Sequence, residues 1–428
     1  MIGVRYNNRF TRLILLTSIT FNLCFLNLNV PIMNFWIPFR RLSHPRELVR
    51  QFTPNWFTLN MGTGIVFLML AQFPYKVDGL HSIAFALFWL DAVIFTVFSL
   101  LFIARWAVYT QDALPLLRHP VQSMFLGAIP MALIPLVNGL VLFYPNSTIA
   151  SALSYQLWWV DFALALLTGW LVPWYQFVFQ EHSLEQMTGV WLLPVVPAEV
   201  TASSAGYLAQ HLPAVQAQTL VLSGYALWGV SVPVAMGILA LLYLRLSLYK
   251  LPAKELGVSS WLALGPIGTG AFALQTLGAA AQHALVNPEL HAFAAIAAPI
   301  GTFGALILWG FGLWWLVIAA GMTIRQASQH LPFNLGWWGF TFPVGVYIAA
   351  TLALGQHTGA GFFTLFAAAL TVGLVGAWMY VVVRSLHGLW HGHMIKAPCL
   401  QSNGAVDAKT NPAGQPASSH PTVRKVRA

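Results

Sequence analysis

The chain of 428 residues is 58% hydrophobic and only 7% charged, whereas roughly a quarter of the residues in an ordinary soluble domain carry a charge. Together with a mean hydropathy of +0.70, this composition indicates a polytopic membrane protein whose surroundings are a lipid bilayer. The net charge of +9 comes from Lys and Arg placed between apolar segments, so it indicates membrane topology and excludes a nucleic-acid partner.

Cysteine usage and motif content narrow the chemistry further. Cys24 and Cys399 lie near opposite ends of the chain and form no metal-binding or redox spacing. No phosphate-binding loop of a nucleotide hydrolase occurs. We therefore expect no catalytic residue, no metal and no other cofactor, and any transport has to be passive or driven by an ion gradient.

The chain begins with a basic stretch that runs into apolar residues. Arg5, Arg9 and Arg12 precede the apolar part of residues 1–32, a pattern typical of a signal-type segment. The alternative is a start at Met33, with residues 1–32 not part of the mature chain. In either case we assign residues 1–53 to a cytoplasmic N-terminal segment.

Ten apolar segments follow, each near the roughly 20 residues that a helix needs to cross a bilayer. Short connections between them predict antiparallel helical hairpins. The predicted spans are 54–73, 80–104, 121–144, 152–178, 187–207, 218–245, 258–283, 296–322, 335–354 and 360–384.

The distribution of Lys and Arg predicts the orientation of these spans. From residue 33 onward, every Lys and Arg except Lys76 falls on one side of the membrane. The positive-inside rule places that side, with both termini, in the cytoplasm of a cell bounded by a plasma (inner) membrane. Residues 54–384 then form the transmembrane domain, and residues 385–428 form a basic, mostly disordered cytoplasmic tail.

The odd-numbered spans carry small residues or prolines at membrane depth, and their starts recur about every seventy residues, as in a repeat of hairpins. We expect an all-α fold of five helical hairpins around a central pore that the odd spans line. The alternative is that the small residues only mediate helix packing. The predicted pore-lining or helix-breaking positions are Gly62, Gly64, Pro130, Pro194, Pro197, Pro266, Gly268 and Pro343. At Pro343 we expect the ninth span to bend or break.

No Lys or Arg lies within the odd spans, so a permeating anion is expected to meet neutral groups. Besides backbone N–H groups and helix ends, these are the polar side chains of Asn60, Thr63, Thr269 and Thr341. Weak binding by neutral groups favours a channel or a simple gated pore.

Acidic residues within the spans have two readings. Glu199 is the only acid in an odd span, and it could couple proton movement to transport or simply bond to a neighbouring helix. Asp91 and Asp161 lie on even spans, where we expect contacts between helices.

His387 and His391 have the i, i+4 spacing of metal ligands, but no nearby acid or cysteine completes a site, so we interpret them as interfacial residues.

Four motifs in order resemble the tellurite-resistance/dicarboxylate transporter family, within the slow (voltage-dependent) anion channel superfamily. They are Phe52–Phe57 with Met61–Gly64, Leu193–Pro197, Gly265–Gly268 and Trp337–Pro343. The family includes plant slow anion channels, bacterial tellurite-resistance proteins, fungal malic acid transport proteins and fungal sulfite efflux pumps. The resemblance implies ten helices in five hairpins, a central pore, often a homotrimer, and a phenylalanine gate on the ninth helix, a role that falls on Phe342.

Within that family, the segments Arg50–Pro54, Leu157–Asp161 and Ala202–Gly206 are similar to those of sulfite efflux pumps. The resemblance thus implies efflux of a small anion such as sulfite. The alternative is proton-linked transport of a C4-dicarboxylate such as malate, since the malate transporters share several of these segments. A membrane enzyme would need paired histidines within spans or an acidic cluster, and the sequence has neither.

Overall fold

The computed structural model describes residues 44, 46–328, 332–390 and 400, and all regular secondary structure within them is helical. Residues 1–32 and nearly all of the tail after residue 390 lie outside the described residues. The predicted all-α class is confirmed. In chain order the α-helices are α1 (Arg46–Arg50), α2 (Phe57–Ala71), α3 (Leu80–Val108), α4 (Thr110–Ala113), α5 (Pro115–Arg118), α6 (Ala128–Phe143), α7 (Thr148–Val178), α8 (Pro197–Ala209), α9 (Ala214–Tyr249), α10 (Leu264–Ala284), α11 (His291–Ala327), α12 (Thr341–Thr358) and α13 (Gly361–Trp390).

Five helices, which we call the inner helices, pack in a closed ring. They are α2, α6, α8, α10 and α12, and each contacts the next, with α12 returning to α2. The other long helices, α3, α7, α9, α11 and α13, are the outer helices, and each packs against the inner helix that precedes it in the chain. An inner helix therefore packs between two other inner helices and against an outer one.

Burial separates the two sets of helices. In the most apolar window of Leu335–Thr358, 89% of residues are buried, against 11% in that of Leu80–Val108. Large apolar side chains such as Trp170, Phe303 and Val383 on outer helices are more than half exposed. An apolar exposed surface of this extent is stable only against lipid, so the predicted membrane-embedded character is confirmed.

Among the described residues, eight helical segments are long and apolar enough to cross a membrane. The predicted spans 54–73 and 187–207 correspond to α2 and α8, which have only 15 and 13 α-helical residues. The number of ten crossings, and their arrangement as five hairpins, therefore stays a prediction.

A change of helix type, which the sequence analysis did not anticipate, precedes the inner helices. Each begins after a 3₁₀ segment, and these segments are Pro54–Trp56, Ser123–Gly127, Gly189–Leu192, Lys254–Ala263 and Leu335–Phe340. The amide of Thr341, for example, already bonds to the carbonyl of Trp338 as the 3₁₀ segment becomes α12. Runs of 3₁₀ helix longer than about four residues are uncommon, so the ten residues of Lys254–Ala263 are unusual.

The prolines of the inner helices lie at this change of helix type, except for Pro135 in the interior of α6. Pro130, Pro266 and Pro343 are the third residues of their α-helices, and Pro197 is the first of α8. Proline is tolerated in the first turn because its missing N–H has no α-helical partner there. Before Pro343 the chain switches from 3₁₀ to α geometry, and α12 continues through the proline; a bend at Pro343 stays a prediction.

Glycines bring the inner helices into backbone contact. A Cβ atom on Gly206 would lie 2.4 Å from the amide nitrogen of Leu277, and one on Gly127 would lie 2.0 Å from the carbonyl oxygen of Leu193. Both distances are far below van der Waals contact, so these crossings require the absence of a side chain. This is the packing role that small residues have in many membrane proteins.

Candidate functional site

Three cavities follow the inside of the ring of inner helices. The first has a volume of about 460 Å³ and lies at the amino-terminal ends of the inner helices, among the 3₁₀ segments. A 3₁₀ helix is thinner than an α-helix, which leaves more room between neighbouring segments at this end. Its polar wall residues are Asn55, Thr58, Gln122, Glu255, Ser259 and Asn334.

The other two cavities are much smaller. The second has about 20 Å³, and its wall consists of apolar side chains and Gly265; it includes Met61, Met131 and Val196. The third has about 40 Å³ and is lined further along the inner helices, from Ile65 to Gln72 on α2, for instance. The ring therefore encloses a wide mouth, an apolar constriction and a small chamber beyond it.

Phe342 is the residue that all three cavities share. Its ring is 3% exposed and lies near the start of α12, at the constriction between the wide mouth and the chamber. An aromatic ring at a narrow apolar point excludes water and ions by filling the space that they would need. The geometry thus gives this side chain a plugging position.

Of the other predicted pore residues, Pro343 lines the first and second cavities. The remaining positions, Gly62, Gly64, Pro130, Pro194, Pro197, Pro266 and Gly268, are buried but are not among the residues that line these three cavities. Their part in a pathway stays a prediction.

The buried glycines among them face neighbouring helices. A Cβ atom on Gly62 would meet Thr341 Oγ1 at 2.3 Å, and one on Gly64 would meet Pro135 at 2.5 Å. On Gly268 it would lie 2.7 Å from the backbone nitrogen of Tyr347. At these positions the small residue permits close helix packing.

Three of the four polar side chains expected to meet the anion are engaged elsewhere. Asn60 donates to the Asp91 carboxylate at 2.8 Å, and Thr63 accepts from the indole of Trp378 at 3.1 Å. The Thr341 hydroxyl donates to the carbonyl of Trp338 at 2.7 Å. The hydroxyl of the fourth, Thr269, is buried without a hydrogen-bond partner among the described residues.

The acids within the spans lie between helices. Asp161 accepts a hydrogen bond of 2.6 Å from Thr201 on α8, so it bridges an outer and an inner helix, as Asp91 also does. Glu199 is fully buried, and neither carboxylate oxygen has a hydrogen-bond partner among the described residues. It lies beside Gly270 of α10 and is not among the residues that line the three cavities.

Sequence reasoning missed the polar residues of the wide mouth. Asn55, Gln122 and Ser259 precede or begin the apolar part of three odd spans, where they look like ordinary interfacial residues. The structure brings all three to one cavity because the 3₁₀ segments converge there. A recurring polar residue just before each odd span was the available signal.

Two histidines near this mouth have lowered pKa values. Burial lowers the pKa of His119, whose Nδ1 accepts from the backbone N–H groups of Val121 and Gln122. Burial also lowers the pKa of His182, which bonds to Gln180 at 2.9 Å. In the part of the chain that the structure describes, no group of three or more His, Cys, Asp or Glu residues could hold a metal ion.

Comparison with known proteins adds an independent line of evidence. A family model described as voltage-dependent anion channel matches residues 51–386. The chain is 37% identical over 346 residues to the sulfite efflux pump SSU1 of Trichophyton rubrum, covering 79% of this chain and 91% of that protein. It is 25% identical to the sulfite efflux pump SSU1 of Saccharomyces cerevisiae, covering 72% of this chain and 79% of that protein. It is 24% identical to the malic acid transport protein of Schizosaccharomyces pombe, covering 79% of each.

Proposed function

The chain belongs to the voltage-dependent anion channel family of membrane transporters and channels, and from this we propose that it exports a small anion such as sulfite. The anion would move along the axis of the ring of inner helices, from the wide mouth through the constriction to the small chamber. We further propose that the Phe342 side chain is the gate of this pathway.

The observation that carries the proposal is the position of Phe342. Among the described residues, Phe342 alone lines the mouth, the constriction and the chamber. A rotation about its side-chain bonds would join the three spaces without moving a helix. Gating by one side chain suits a pathway whose walls are otherwise closely packed.

The charge of the walls supports a small anion over a dicarboxylate. Among the described residues that line the three cavities there is no Lys or Arg, and Glu255 in the mouth is acidic. A doubly charged malate would lose more hydration energy than hydrogensulfite, the singly charged protonated form of sulfite, and would find no cation in compensation. The greater identity to sulfite efflux pumps than to the malic acid transport protein points the same way.

We place the wide mouth on the cytoplasmic side of a plasma (inner) membrane, with both termini in the cytoplasm. The distribution of Lys and Arg supports this orientation. We also propose ten crossings in five hairpins, with α2 and α8 completed by the 3₁₀ and turn residues before them, and a homotrimer. The resemblance to the family supports the trimer, and the mass of the purified complex in detergent would test it.

The experiment that tests the function is a flux assay in proteoliposomes. Purified full-length protein is reconstituted, and efflux of sulfite, chloride, nitrate and malate is compared across an imposed pH gradient, with protein-free liposomes as the control. We expect sulfite flux well above that of malate. Malate flux that exceeds sulfite flux and follows the proton gradient would establish the alternative, a proton-linked dicarboxylate transporter.

A further inference from the structure

The wide mouth contains hydrogen-bond donors that the protein itself does not use. Gln122 is only 7% exposed and lines the mouth, yet its side-chain oxygen has no hydrogen-bond partner among the described residues. Its amide nitrogen makes no hydrogen bond to those residues either. The nitrogen is the donor end of this amide, so it is the atom that an acceptor in the cavity can bind, whereas the oxygen can be satisfied by water.

Two further donors line the same mouth. The side-chain oxygen of Asn55 accepts from the Thr53 hydroxyl, which leaves the amide N–H groups as the free end of this side chain. Ser259 is 7% exposed, and its hydroxyl makes no hydrogen bond to the described residues. Asn55, Gln122 and Ser259 come from the regions where three different inner spans begin, so they approach the cavity from different sides.

Of the other polar wall residues, Thr58 and Asn334 are already engaged, and the Glu255 carboxylate has only acceptor oxygens, so it offers no donor to an anion. The Thr58 hydroxyl donates to the carbonyl of Asn55 at 2.6 Å. The Asn334 side chain accepts from the amide of Gly336 at 2.7 Å and donates to the carbonyl of Glu255 at 2.9 Å. The unused donors are thus a distinct subset of the wall.

The starts of three inner helices offer no free backbone donors. Where an α-helix begins after a loop, its first N–H groups are free to bind an anion. Here the 3₁₀ segments run directly into α6, α10 and α12, and the amides of Ala128, Leu264 and Thr341 already bond to preceding carbonyls. At these three positions an anion would therefore meet side-chain donors.

We propose that Asn55, Gln122 and Ser259 form a binding site for a small oxyanion at the wide mouth. The site rests on the proposed function and specifies how the substrate is recognised. Several oxygens of one oxyanion accept hydrogen bonds from different directions, which matches donors on three segments. Neutral donors give weak binding, so the ion is held and then released toward the constriction. Loss of one donor should weaken binding roughly tenfold.

The test combines direct binding with transport. Purified full-length protein in detergent is titrated with sodium sulfite while its thermal unfolding is followed, with sodium chloride at equal ionic strength as the reference. The variants are Gln122→Leu and Ser259→Ala. The matched control is Gln210→Leu, because Gln210 lines none of the three cavities and its amide bonds to the carbonyl of Gly206 at 3.0 Å.

We expect sulfite to stabilise the unsubstituted protein, and the half-saturating concentration to rise roughly tenfold in each mouth variant but not in Gln210→Leu. The same shift should appear in the concentration dependence of sulfite flux from proteoliposomes. An unchanged half-saturating concentration in Ser259→Ala and in Gln122→Leu would overturn the site even while sulfite is transported. If Gln122→Leu does not fold, Gln122→Ala and Ser259→Ala decide the matter. Absence of sulfite flux in the unsubstituted protein would instead reject the proposed function.

Discussion

The Nδ1 atom of His119 accepts a hydrogen bond from the backbone N–H of Gln122, at a distance of 3.1 Å. A titratable ring therefore holds the backbone at Gln122, one of the residues that line the mouth. The same nitrogen accepts from Val121 at 3.2 Å. Only the neutral imidazole has an acceptor nitrogen, because both nitrogens donate when it is protonated. The order of this part of the mouth is therefore linked to pH.

Acid should destabilise the protein through this contact. Burial lowers the pKa of His119 below its ordinary value of 6.5, so the unfolded chain binds a proton more readily than the folded one. The stabilisation by this contact is fully present above pH 6.5. It declines as the pH falls through 6.5 toward the lower pKa that His119 has in the folded protein. His119→Ala should cost roughly 1 kcal/mol at about pH 8, the size of a lost helix cap.

Thermal unfolding in detergent between about pH 8 and about pH 5.5 measures this effect, because histidine titrates in that range. The loss of stability on acidification should be smaller in His119→Asn than in the unsubstituted protein. The control is the same substitution at His211, because His211 is exposed and lies outside the mouth. An equal acid sensitivity in the His119 variants and the unsubstituted protein would refute the link.

Removal of the Phe342 ring should open the pathway. In Phe342→Ala the mouth, constriction and chamber would become continuous, and basal anion flux in proteoliposomes should rise. Phe340→Ala is the matched control, since the Phe340 ring packs against Trp261 with centroids 5.3 Å apart. Basal flux that is unchanged in well-folded Phe342→Ala would contradict a gating role.

A methyl group on Gly206 should disrupt the inner ring. The added Cβ would approach the backbone of α10 to 2.4 Å, and overpacking of this kind typically costs about 1–3 kcal/mol. On Gly237, also within a helix, an added Cβ would meet nothing within 4 Å, so Gly237→Ala should be neutral or slightly stabilising. Unfolding temperatures of the two variants in detergent make the comparison, and equal values would show that the backbone contact is not limiting.

Glu199→Gln separates a structural from a proton-coupling role. An ionised carboxylate without a partner is costly in a buried site, so the neutral amide should leave the unfolding temperature unchanged or higher. If Glu199 couples protons to transport, the pH dependence of flux should flatten in this variant. A pH profile that coincides with that of the unsubstituted protein would reject coupling through Glu199.

Composition and spacing predict the all-α membrane fold because a bilayer demands long apolar segments. The direction of each side chain around its helix was less predictable, since it depends on which neighbour packs there. Asn60 and Thr63 illustrate this, because both point to outer helices and bond there. The 3₁₀ segments were likewise not predictable from the sequence, since the choice between i→i+3 and i→i+4 hydrogen bonds depends on tertiary packing.

The contacts at Gly127 and Gly206 have a mechanical consequence. Where two inner segments touch backbone to backbone, neither can move toward the other or slide past it without a clash. Alternating access, in which one half of a carrier rocks against the other, would have to break these contacts in every cycle. Rotation of a single aromatic side chain breaks none of them, so the gating proposed for Phe342 would leave the packed ring intact.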